Sequence, residues 1–513
     1  MWTDARASLA AALVALAAAA APARAEPPLS AIDWLSESVT GPATRAVPPA
    51  LSPGPGTEPI EVQPLAGPNA DAVGLLPAQV TGLPGDLWGS GRPTEIARAI
   101  RAERVDTLPA VQALLFTLLM AELDPPAAAR AGEEGALLLA RIDKLLDLGA
   151  LDQAQALVER AGPTNPELFR RWFDISLLTG QEDRACAAMR ATPDIAPTFP
   201  ARVFCLARGG DWNAAALTLE TARALGFVTD EEDALLARFL DPELAETGEP
   251  LPAPTRPSPL IFRMREAVGE PLPTTTLPLA FARSDLRSTA GWKARIEAAE
   301  RLGRTGALPP NQLLGVWTAR KPAASGGLWD RVAALQAFDV AMIAGKRDGV
   351  EKALEPAWNA MVAAELEVPF ARLYGARLAR LGLTGEAGEI AFRVGLLSED
   401  YEAAARARAP ASAEERFLIG LATGEVAGLS APDPLGAALV EGFAGADPGP
   451  AQARLLAEGR LGEAILSAID LITNGARGDI GDVTRALALM RRVGLESVAR
   501  QSALQLMLLE RRG

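Results

Sequence analysis

The chain has 513 residues, of which 49% are hydrophobic, 22% charged and only 5% aromatic, and its net charge is −14. It contains no histidine and two cysteines. That excludes Ser-His-Asp and Cys-His nucleophile pairs, H-E-x-x-H zinc sites, His-ligated haem and four-thiolate metal sites, so no cofactor or metal is expected.

Met1 to Ala25 has the organisation of a secretory leader. Arg6 lies in a short polar start, Leu9 to Ala21 is an unbroken apolar run, and Ala23-Arg24-Ala25 places cleavage between Ala25 and Glu26. The run is shorter than the ~20 apolar residues that span a bilayer. No cysteine follows the cleavage site, so lipid attachment is not expected. The mature chain is expected to be soluble, and periplasmic or secreted.

Residues 26–93 form a lead-in of different character. Leu29, Ile32, Leu35 and Val39 recur at helical spacing with Trp34 beside them, which predicts a short amphipathic helix. Two roles stay open for it: a docking peptide for a partner, or a segment that folds back on its own chain. From Gly41-Pro42 to Pro84-Gly85 the chain is too rich in Pro and Gly to bury much surface, and an extended path is expected. The apolar stretch Val73 to Trp88 is expected to lie along the helices.

From about Thr94 the apolar spacing becomes helical. Two helical lobes are expected, at 94–240 and 260–513, with a proline-rich break at 241–259 between them. Thr164 with Glu167, Thr229 with Glu232 and Ser412 with Glu415 match the S/T-x-x-E capping box. The acidic pairs Glu133-Glu134, Glu231-Glu232 and Glu414-Glu415 sit at expected helix starts, where they offset the helix dipole. Cys186 and Cys205 are nineteen apart, on either side of a loop at Pro193 to Pro197. Facing one another across a helical hairpin in an oxidising compartment, they are expected to form a disulfide.

A short turn recurs along the chain. It pairs Gly149 with Ala154, Gly180 with Ala185, Gly210 with Ala215, Gly382 with Ala387, Gly459 with Ala464 and Gly494 with Ala499. Glycine tolerates the left-handed conformation that ends a helix. Alanine five residues on lets the next helix approach closely. These turns resemble the G-x-[YW/L]-x-x-A turn of the tetratricopeptide repeat family, best at Gly210 to Ala215 and Gly459 to Ala464. The resemblance covers about 135–240 and 340–513. It implies an all-α fold, an α-solenoid of antiparallel helical hairpins with a concave face that holds peptides or proteins. The chain departs from the family in uneven spacing, in an irregular helix-A tryptophan, and in Glu182, which replaces an apolar turn residue.

Trp172, Trp212, Trp292, Trp317, Trp329 and Trp358 are expected to anchor packing between helices, with a sugar-binding groove as the alternative. Glu496-Ser497 resembles the Glu-Ser pair of lytic transglycosylases, but their downstream Gly-Leu-Met-Gln element is missing. The alanine content lacks the regular Ala-Ala-Thr register of ice-binding arrays, so an antifreeze reading rests on composition alone. No catalytic residue is expected. A chain this acidic is not expected to bind nucleic acid or insert in a membrane after leader removal. The expected function is a non-enzymatic scaffold or adaptor that binds protein or peptide partners in the cell envelope. The alternatives are a glycan- or peptidoglycan-acting enzyme or binder working through carboxylates, and a structural subunit of an envelope complex tethered by the 29–39 helix.

Overall fold

Local chemistry starts and stops each helix of this chain. The computed structural model describes residues 69–509, and among these it is all-helical, with 26 α-helices packed largely as neighbouring pairs and no β-strand. The expected leader with its Ala25–Glu26 cleavage site, and the expected helix carrying Leu29, Ile32, Trp34, Leu35 and Val39, lie outside the described residues.

Proline opens helices such as Pro93–Ala102, Pro109–Met120, Pro166–Thr179 and Pro259–Ala267, where its missing N–H costs nothing. Thr229 makes a complete capping box with Glu232. Ser412 accepts from the Glu415 amide, while the Glu415 carboxylate reaches the Ala411 amide instead of closing the box. The box expected at Thr164 is not formed. Asn165 caps that helix instead, accepting from Leu168 N at 2.9 Å, because Pro166 must occupy the first helical position. The expected pair Glu133-Glu134 precedes a helix, Ala136–Asp147, whose actual capping carboxylate comes from Asp71, far back in the chain.

All six turn glycines have positive φ, from 58° at Gly382 to 84° at Gly210 and Gly494. Ala154, Ala185, Ala215, Ala464 and Ala499 are fully buried. Ala387 differs, since it is only half-buried. Its helix begins at a second left-handed glycine, Gly385, and the buried place in that turn passes to Gly388. A Cβ on Gly388 would stand 2.7 Å from the Leu383 carbonyl oxygen.

The lead-in after residue 69 packs against the helices. Leu75 and Leu76 donate to the Met120 carbonyl, and Leu83, Leu87 and Trp88 are buried. Trp88 meets the C-terminal part of the chain: Gly462 N donates to Leu87 O at 2.8 Å, and a Cβ on Gly462 would fall 2.4 Å from the indole. Further links follow. Ala110 N donates to Gln505 at 2.9 Å, the Thr107 and Thr473 hydroxyls are 2.6 Å apart, and Arg460 pairs with Glu95 at 3.3 Å. The helices Leu461–Ala476 and Glu496–Leu508 therefore return to Pro93–Ala102 and Pro109–Met120.

This return rearranges the expected two lobes. The largest apolar cluster joins residues of 83–281 to residues of 392–504, while a second holds residues of 282–397 together with Leu509. The expected break at 241–259 does not interrupt the core, since Leu235 and Leu236 share a cluster with Leu260, Phe262 and Met264. Within the break, Pro242–Thr247 is helical, and Arg238 and Arg265 hold the following proline-rich stretch by its backbone carbonyls at Glu249, Leu251 and Pro252.

Cys186 lies in the helix Glu182–Ala191 and Cys205 in Phe199–Arg208, and the two are disulfide-bonded with Cα atoms 5.0 Å apart. Both are buried. A loop of this length should contribute about 3 kcal/mol in the chain-entropy model. Changing both cysteines to alanine is expected to lower the urea midpoint accordingly, and an unchanged midpoint would contradict it.

Candidate functional site

Helices and a turn from neighbouring hairpins converge on a cleft of about 490 Å³. Its walls come from the end of Pro166–Thr179 with Gly180, from Phe199–Arg208, from Pro259–Ala267, and from the turn at Arg287, Ser288 and Thr289. A second hollow of about 350 Å³, bearing Asp152, Gln181, Arg283 and Gln312, adjoins it and shares Thr179 and Arg287. Gly180 turns the chain at φ 77°, which brings Gln181 and Glu182 directly behind the cleft wall.

Glu182 is the centre of the charge arrangement. It is 2% exposed, and its Oε1 accepts from Arg263 Nε at 3.1 Å and Nη2 at 2.9 Å, with Arg208 Nη1 3.3 Å away. Arg208 also donates to Asp183 at 2.8–2.9 Å. Arg263 donates onward to Glu266, which accepts from Arg287 Nη2 at 2.8 and 2.9 Å. The result is a chain Arg208–Glu182–Arg263–Glu266–Arg287 running along the cleft. Partial burial alone would raise the Glu266 pKa, but the hydrogen bonds from Arg287 and Arg263 outweigh it and hold the carboxyl below its usual range. Desolvation likewise opposes the Arg263 charge, and Glu182 and Glu266 more than offset it.

A guanidinium carries five N–H donors in a fixed fork. In this row every nitrogen of Arg208 and Arg263 meets a carboxylate, which leaves part of their N–H donors over. Arg287 turns Nε to the Ser284 carbonyl and Nη2 to Glu266, so all three are held in place. Fixed guanidiniums beside the hydroxyls of Thr179, Ser288 and Thr289 suit the recognition of a carboxylate or another planar acceptor. Phe204 and Phe239, stacked with centroids 5.4 Å apart, add an apolar wall. Below the same elements Asp174 is buried with one oxygen, Oδ2, lacking a hydrogen-bond partner among the described residues. Desolvation pushes its pKa up to about 7 despite the charges of Arg170 and Arg171.

Of the residues singled out in the sequence, Gly180 lines this cleft, its turn partner Ala185 is buried in the helix packing behind it, and the other five pairs serve helix packing elsewhere. Arg208, Arg263, Glu266 and Arg287 carry no sequence signal, because arginine and glutamate on helices are ordinary surface residues. Glu182 does carry one, as the acidic residue standing where the turn pattern asks for an apolar side chain. Trp317 is fully buried and Trp172 and Trp358 nearly so, whereas Trp292 and Trp329 pack on each other at 5.2 Å and Trp212 is 51% exposed. Packing therefore accounts for five of the six tryptophans and not for Trp212. Burial opposes ionisation of Glu496, but hydrogen bonds from Arg491 and Arg500 prevail and keep its pKa below the usual value. Ser497 meets the Tyr401 hydroxyl at 3.2 Å. An acid held ionised by two arginines is unsuited to donate a proton at neutral pH.

Among the described residues no group of three or more Cys, Asp or Glu is placed to hold a metal ion, and no helix is long and apolar enough to cross a membrane. No family model, curated protein or solved structure matches this chain.

Proposed function

We propose that this chain is a helical-repeat scaffold of the cell envelope, an exported TPR-like solenoid that binds protein partners and performs no chemistry on them. The cleft takes an acidic segment of such a partner. One observation carries this reading: the row Arg208–Glu182–Arg263–Glu266–Arg287 pre-sets three guanidiniums along an open groove between hairpins. Donors fixed before binding lose little entropy when a ligand arrives, so even a neutralised network can favour a carboxylate-bearing peptide. Export is supported by the leader-like first 25 residues, and the repeat reading by the glycine–alanine turns.

The reading is tested by titrating the chain with acidic peptides and with their lysine-for-glutamate counterparts. Only the acidic series is expected to bind, and Arg287→Gln should weaken it at least tenfold without moving the melting temperature by more than a few degrees. Arg287 is suited to this test because it sits at the end of the row, bonded to Glu266 and to the Ser284 carbonyl. Equal binding of both series, or no effect of the substitution, would refute the reading.

A further inference from the structure

The helix Trp212–Leu225 buries one face and, among the described residues, leaves the other without a partner. Ala215, Leu219 and Ala222 are buried, and Leu217, Thr221 and Ala224 lie on the opposite side of the same helix, with Leu225 next to them. Leu217 is 70% exposed and Leu225 58%, and Trp212 and Leu244 nearby in the chain are also exposed. A surface helix ordinarily turns polar residues to water, so leucines opposite the core seam call for an explanation.

Charge supplies the explanation. Residues 211–249 contain ten acidic and two basic residues, a net −8 out of the −14 of the whole chain. Both bases are already engaged, Arg223 by Glu220 and Asp233, and Arg238 by Glu270. Glu220 lies on the exposed face itself, while Asp230, Glu231, Asp241 and Glu246 are exposed on the next two helices, Asp230–Leu240 and Pro242–Thr247, and at their junction. An apolar strip bordered by unbalanced negative charge is complementary to a helix with leucine-like residues on one side and Lys or Arg flanking them.

We infer that this face docks a cationic amphipathic helix of a partner protein. The two other occupants are disfavoured on charge. The chain's own 29–39 segment contains Asp33 and Glu37 and no Lys or Arg. A second copy would bring the same acidic face against itself. The inference does not rest on the arginine cleft, whose preference is for the opposite charge, so the two surfaces would let one scaffold hold two unlike partners.

The experiment uses the full chain and a fluorescent helical peptide of lysine and leucine in amphipathic order, beside a scrambled peptide of identical composition. Saturable binding is expected, at least tenfold tighter for the amphipathic peptide than for the scrambled one. Leu217→Glu and, separately, Glu231→Lys should each weaken it about tenfold, with the melting temperature unchanged for Leu217→Glu and lowered by no more than a few degrees for Glu231→Lys, which takes an exposed acid from the first turn of its helix. Equal affinity for the scrambled peptide would reduce the effect to bulk charge and overturn the proposal. So would wild-type affinity in both variants, a dimer that Leu217→Glu dissolves, or binding that appears only after residues 29–39 are deleted.

Discussion

Arg141→Ala is expected to lower the unfolding free energy by about 4 kcal/mol, the range for breaking a buried, fully bonded cation. Arg141 is 1% exposed. Its Nε donates to Leu119 O at 2.8 Å, its Nη1 to Val73 O at 2.7 Å and its Nη2 to Ala121 O at 2.7 Å. One side chain thus joins the lead-in to the end of the helix Pro109–Met120, and its removal leaves a cavity and three carbonyls without that donor. Burial lowers its pKa to about 10, with the nearby Asp71 charge acting against the fall, so it remains charged at neutral pH. Arg141→Lys keeps the charge but not the fork, and should recover less than half of the loss. Urea titration measures both, and a change below about 1 kcal/mol in Arg141→Ala would show that the lead-in is held by other contacts.

The second large effect is a dependence on pH. Glu103 closes the helix Pro93–Ala102 and is 8% exposed. Desolvation, reinforced by the charge of Asp470 on Leu461–Ala476 and opposed by Lys144, pushes its pKa from 4.5 up to about 8. The folded chain therefore holds this proton to higher pH than the unfolded chain does. Stability is unaffected below about 4.5, falls as pH rises from there to about 8, and is level beyond. The loss approaches roughly 5 kcal/mol at most, at about 1.4 kcal/mol per pH unit. Glu103→Gln, which stays neutral, should match the parent at pH 4 and unfold at clearly higher denaturant at pH 9. Because Asp470 faces Glu103 across the contact between early and late helices, the opening of that contact should be the first event at alkaline pH. Hydrogen exchange that shows the 93–120 region no more labile at pH 9 than at pH 6 would contradict this.

The fold class was legible because helices are written in short-range terms. Gly180 ends a helix and Ala185 packs under the next whatever lies elsewhere, and Thr229 with Glu232 caps its helix within a single turn. The same locality made Cys186 and Cys205 readable as a pair, since one turn separates their helices. The errors are local as well. At Thr164 the following Asn-Pro takes over the cap, and at Ala387 a second glycine shifts the helix start. The candidate cleft was legible only through Glu182, whose charge breaks an otherwise apolar pattern.

By itself, then, the amino-acid order determined an all-helical chain of glycine-punctuated hairpins with one cross-link and no histidine chemistry. Tertiary structure alone decided that Trp88 would lie on Gly462, that Arg141 would bind the lead-in, and that Arg208, Arg263 and Arg287 would share two carboxylates. These contacts join residues tens to hundreds of positions apart. They depend on whether one surface fits another in shape and charge, and the spacing of apolar residues along the chain fixes which side of a helix is buried without saying what it is buried against.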